Sequence, residues 1–92
     1  MHQPPLDPPM DDLAPTATVL TSYDESHLVT YLRLLDAEAA GADWREVAQT
    51  VLKVDPTKES ERAHRMWASH LRRARWMTEH GYRYLLQGGA PH

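Results

Sequence analysis

The stretch SERAHRMWASHLRRARWMTEHGYRYLL, Ser60 to Leu86, decides how this chain folds. At about 100° per residue, Ala63, Met66, Trp67, His70, Leu71, Ala74 and Met77 fall within roughly 140° of one helix. Arg62, Arg65, Arg72, Arg73 and Arg75 occupy roughly the opposite 160°, with Trp76 among them. The spacing predicts a helix that begins near Thr57 to Glu59 and runs to His80, with Gly81 as its C′ residue. One face belongs to a core and the other is basic. A Trp among arginines on the wet side has two readings. Either Tyr82 to Leu86 folds back over Trp76, or the helix kinks there; or Trp76 is an exposed anchor, since Trp and Arg dominate interface hot spots.

Two more helices precede it. Ser22-Tyr23-Asp24-Glu25 has the form of a capping box, and Leu28, Tyr31, Leu32, Leu35 and Ala39 then recur at three- and four-residue spacing, predicting a helix over 24–40. Asp43 with Glu46 repeats the start signal, and Trp44, Val47, Ala48, Val51 and Leu52 form the next stripe, a helix over 44–52. Gly41-Ala42 allows only a sharp turn between them, and Asp55-Pro56 closes the second. The expected fold is all-α: a small bundle of three main helices, a helix-turn-helix variant, with a short C-terminal segment packed back. Its core is Leu28, Leu32, Leu35, Trp44, Val47, Ala48, Val51, Trp67, Leu71 and Met77.

Charge divides the chain. Residues 1–25 hold five acids and no Lys or Arg, and five of the seven prolines; residues 26–92 hold ten bases and eight acids. Proline removes donors and fixes φ, so residues 1–21 read as a disordered acidic tail and 22–88 as the folded domain. The tail is either a solvated arm or an acidic cover that competes for the arginine face. Ninety-two residues without cysteine leave packing alone to stabilise one domain. No leader and no run of roughly 18 apolar residues is present, which points to a cytoplasmic protein.

Enzymatic readings find little. The six histidines include no i, i+4 pair and no H-E-x-x-H, and His64 and His70 point about 120° apart. There is no glycine-rich phosphate loop and no cysteine nucleophile, so no catalysis, cofactor, metal or small-molecule ligand is expected. His70 reads as a core histidine with its nitrogens satisfied.

Three helices with a small Ala48 between the second and third suit a helix-turn-helix, although Lys53 to Lys58 is longer than the usual turn and lacks glycine. His27-Leu28-x-x-Tyr31-Leu32-Arg33-Leu34-Leu35-Asp36-Ala37, Trp67-x-x-x-Leu71-x-x-Ala74-Arg75-Trp76-Met77 and Gly81-Tyr82-Arg83-x-Leu85-Leu86 resemble a family of helix-turn-helix-variant domains. These domains are carried by regulators of integrative and conjugative elements, and the resemblance covers about residues 22–88. It implies one of two roles. Fused members activate transcription by binding DNA, whereas short stand-alone members, the QseM-like quorum-sensing antiactivators, bind transcriptional activators and block them. A short, slightly basic domain fits the antiactivators better. The implied partners are a TraR-like LuxR-type receptor and the excision activator of the element, so that excision and conjugative transfer stay off. A DNA-binding regulator is the alternative. The expected contact surface is Arg65, Arg72, Arg73, Arg75 and Trp76.

Overall fold

The computed structural model describes residues 10–81, which form four α-helices. They are α1 (Ser22–Ser26), α2 (Leu28–Ala39), α3 (Trp44–Thr50) and α4 (Ser60–Trp76), the last widening into a π turn over Met77–Gly81. No strand occurs among the described residues. The long helix α4 is the hub, with α2 and α3 both packed on it. Between them lie Tyr31, Leu34, Val47, Ala48, Leu52, Val54, Ala63, Met66, Leu71, Ala74 and Met77. Ala48, Ala63 and Ala74 are fully buried, and their small side chains let the helix backbones approach closely. Each of the larger residues contributes about 1.5–3 kcal/mol by leaving water.

Helix ends follow from local chemistry. The cap of α1 is Thr21, one residue earlier than the Ser22 box: its hydroxyl accepts from Asp24 N–H at 3.2 Å, and Asp24 Oδ2 accepts from Thr21 N–H at 2.8 Å. The single helix expected over 24–40 is instead two segments, α1 and α2. His27 leaves the helical region at φ −116°, and its ring Nδ1 bonds the Tyr23 carbonyl at 2.7 Å. At the other end of α2, Gly41 stands at φ 75°, and the N–H groups of Gly41 and Ala42 bond the Glu38 and Ala37 carbonyls, each at 3.0 Å. This is a Schellman close, and it needs glycine for the left-handed residue. Asp43 caps α3 through Arg45 N–H at 2.9 Å. That helix stops at Thr50, but Leu52 and Val54 remain buried, because a left-handed Lys53 (φ 61°) turns the chain so that Val54 N–H reaches the Ala48 carbonyl.

The expected core is divided. Val47, Ala48, Leu71 and Met77 are buried, while Leu28, Leu35, Trp44, Val51 and Trp67 are half-buried against the cluster. Leu32 is not core: it is 57% exposed. Rotation of α2 explains the correction. Tyr31 and Leu34 point at α4, and the Tyr31 hydroxyl donates to Asp24 Oδ1 at 2.8 Å, which holds that face inward.

Residues 10–21, expected within a disordered tail, run as an irregular strap across the flank of α4. Ala14 and Leu20 are buried there, Ala14 N–H bonds Ser69 Oγ at 3.1 Å, and Asp11 N–H bonds the Tyr23 hydroxyl at 3.0 Å. The remainder of that tail and the fold-back of Tyr82 to Leu86 lie outside the described residues.

Candidate functional site

The described part of α4 carries five arginines, and their surroundings separate them. Arg73 is buried with Asp24. Its Nε–H donates to Asp24 Oδ1 at 2.9 Å and its Nη2 to Asp24 Oδ2 at 2.6 Å, a bidentate pair. The same guanidinium donates to the main-chain carbonyls of Ala17 (2.6 Å) and Val19 (2.9 Å), so it ties the strap, α1 and α4 together. Burial alone would raise the Asp24 carboxyl. Hydrogen bonds from Arg73, the Thr21 backbone, Tyr31 and the Thr21 hydroxyl outweigh it and hold the group below the ordinary carboxylate range. Burial and the neighbouring Asp24 carboxylate push the Tyr31 hydroxyl upward, keeping it a donor. Arg73 therefore belongs to the fold, and its expected place on a contact surface is corrected. The helical wheel puts it among exposed arginines because composition alone makes a tail of the strap that covers it.

Two more arginines are engaged at the surface. Arg62 bonds Asp12 of the strap at 2.8 Å and Glu59 at 3.1 Å. Arg75 bonds both carboxylate oxygens of Glu38 on α2. Arg65 and Arg72 differ: both are exposed, and neither has an acidic partner among the described residues. Seven positions apart, they lie on one stripe of α4, with about 10 Å of helix axis between them.

Trp76 is half-buried and packs against the core cluster. The Arg73 guanidinium lies 3.9 Å from its ring centroid, a cation–π contact, so Trp76 is anchored from beneath rather than standing free. With Pro15, Thr16 and Ser69 it lines a cleft of about 180 Å³ whose rim is Arg72. At the opposite end of α4, Trp44, Ser60, Glu61, His64 and Arg65 line a wide-open cleft. There the His64 ring meets Trp44 edge-on at 4.9 Å and Trp67 at 5.5 Å, and Arg45 lies over Trp44 at 5.2 Å. Sequence reasoning missed the aromatic edge that exposed His64 forms with half-buried Trp44 and Trp67. For Trp44 the signal was the Asp43 cap, which places it at the first position of α3, at the edge of the core.

His70 is fully buried. Its Nδ1 donates to the Met66 carbonyl at 2.7 Å, which leaves Nε2 to accept from the Tyr23 hydroxyl at 2.6 Å. Burial lowers its pKa, against a smaller opposing effect of the Met66 bond. With both nitrogens occupied it supports the fold. Among the described residues no three acids or histidines gather as a metal site, and no helix is long and apolar enough to cross a membrane.

The surface that remains is one exposed helix stripe with two guanidinium groups unpaired among the described residues, flanked by an aromatic edge and a cleft lined by Trp76. Such a stripe can lie against a phosphate backbone, with its arginines free to form charge-assisted contacts. Residues 8–87 match the model of the RovC DNA-binding domain, described as a T6SS transcription factor DNA-binding domain. No curated protein matches the chain.

Proposed function

The chain belongs to the RovC DNA-binding domain family of T6SS transcription factors, and from that premise we propose that it binds duplex DNA as a transcription regulator. The family is one of DNA-binding domains and not of enzymes. The observation that carries the placement is the pair Arg65 and Arg72, exposed on one stripe of α4 with no acidic partner among the described residues. In this reading α4 lies along the major groove and the two arginines meet phosphates or guanine edges. Lys53 and Lys58, both exposed in the α3–α4 connection, reach the flanking backbone. Arg45 over Trp44 borders the same end of the helix. The protein acts in the cytoplasm, where such DNA is found.

The antiactivator reading, with a LuxR-type receptor and an excision activator as targets, rests on the resemblance, and the family match supports the DNA-binding alternative better. It keeps one observation in its favour. The chain has a formal net charge of −3, and Arg62 and Arg75 are neutralised by Asp12, Glu59 and Glu38. Both readings use Arg65 and Arg72.

Fluorescence anisotropy with promoter duplexes from the surrounding gene region tests the proposal. Wild-type protein is expected to bind with a steep salt dependence. Arg65→Ala and Arg72→Ala each lower affinity by about 1–3 kcal/mol if they contact bases, or reduce the salt slope by about one if they contact phosphate. A double variant that stays folded and binds duplex like wild type would overturn the placement. Absence of duplex binding beside tight binding to an activator protein would return the antiactivator reading to first place.

A further inference from the structure

One flank of the α2 face that the helical period offers as core lies at the surface. Leu28, Leu32, Leu35 and Ala39 follow one another at spacings of four, three and four, which is a two-heptad seam. Leu28 and Leu35 are half-buried against the core, while Leu32 is 57% exposed and Val29 beside it is 61% exposed. An exposed leucine between two half-covered ones at this spacing forms the kind of stripe that another helix covers.

The edge of the seam indicates what covers it. Arg33 and Asp36 are exposed beside Leu32, and neither makes an ion pair among the described residues. Two copies of α2 placed antiparallel about a two-fold axis between residues 33 and 34 set Leu32 opposite Leu35 of the other copy and Leu28 opposite Ala39. Large meets small at the ends and leucine meets leucine in the middle. In the same arrangement Arg33 comes within one helical turn of the other copy's Asp36, and the symmetry repeats the contact. Antiparallel pairing makes each edge face itself, so this edge of mixed sign is complementary to its own copy. The opposite edge carries Glu38, already held by Arg75 of α4.

We propose that α2 is a self-association surface and that its occupant is a second copy of this chain, packed antiparallel through Leu28, Leu32, Leu35 and Ala39. The seam spans only about 16 Å of helix, so the dimer belongs to the transient class that buries less than about 1,200 Å². This does not rest on the DNA-binding reading.

Sedimentation equilibrium of the full chain, from micromolar to millimolar concentration, reads the association directly, with circular dichroism as the check on folding. Wild type is expected to pass from monomer to dimer across that range. Arg33→Asp alone places two like-charge contacts in the interface and weakens association about tenfold, as does Asp36→Arg. The double exchange, Arg33→Asp with Asp36→Arg, restores the wild-type constant, which no effect on folding would produce. Leu32→Asp abolishes the dimer and leaves the melt unchanged, because Leu32 adds little to the core. A chain that stays monomeric throughout the range, or a double exchange that restores nothing, overturns the proposal. So does a foreign protein that needs Leu32 for binding while this chain stays monomeric, which would assign the seam to that protein.

Discussion

Arg72 and Arg73 are neighbours on one helix, but the two flanks of α4 on which they lie do opposite things. Arg73 is 4% exposed, saturated by Asp24, Ala17 and Val19, and closes the strap onto the bundle. Arg72 stands on the rim of a cleft with no acidic partner among the described residues. A step of 100° turns a stabilising cation into one available for binding, so a count of arginines says little until their partners are known.

The sharpest way to break this contrast is to remove Asp24. Asp24→Ala leaves a buried guanidinium without its carboxylate and is expected to cost about 3–5 kcal/mol, a large share of the roughly 5–15 kcal/mol that a domain of this kind holds. A urea melt within 1 kcal/mol of wild type would show that the buried flank is no different from the exposed one.

How much of this was legible in the sequence depended on where the partners came from. The 3.6-residue period placed α2, α3 and α4 and put Ala63, Met66, His70, Leu71, Ala74 and Met77 on the inner face of α4, because those contacts repeat along one element. It also offered Leu32 as core. Along α2 the stripe of Leu28, Leu32 and Leu35 and the stripe of Tyr31 and Leu34 are both apolar, and the one that turns inward is the one whose Tyr31 finds a remote partner in Asp24. Arg73 was misplaced for a related reason. Its carbonyl partners, Val19 and Ala17, lie 54 and 56 positions earlier in sequence, in a proline-rich segment whose composition argues against any ordered contact. Arg65 and Arg72 were correctly read as exposed, since nothing remote was needed to define them. The sharp turn at Gly41 was visible; the left-handed residue at Lys53 was not, since lysine rarely adopts that conformation.

A smaller effect sharpens the contrast through pH. His70 has its pKa lowered by burial, so the unfolded chain takes up a proton near the ordinary histidine value of about 6.5 that the folded one refuses. The stability it confers is complete above about pH 6.5 and declines as pH falls below that value. Asp24, held below the ordinary value, adds stability that is complete above about pH 4 and is lost as pH falls through its lowered folded pKa. Thermal melts from pH 8 to pH 3 should therefore decline in two stages, and His70→Gln should remove the first. A flat profile between pH 7 and pH 5 would show that the buried ring does not resist protonation.

The smallest expected change lies on the exposed flank. Arg72→Ala should alter stability by no more than about 0.5 kcal/mol, since it removes no contact on which the fold depends. A loss of 2 kcal/mol or more in the same urea melt would place Arg72 with Arg73.

The grip of Arg73 on the strap reaches carbonyl oxygens of Ala17 and Val19, not their side chains. Whatever residues stand at those two positions, the oxygens remain, so the strap is tolerant of sequence change where it is most firmly held. Both side chains are exposed. A single cysteine introduced at 17 or 19 thus offers an attachment point for a fluorophore close to α4, reporting on whatever approaches that helix without loosening its own anchorage.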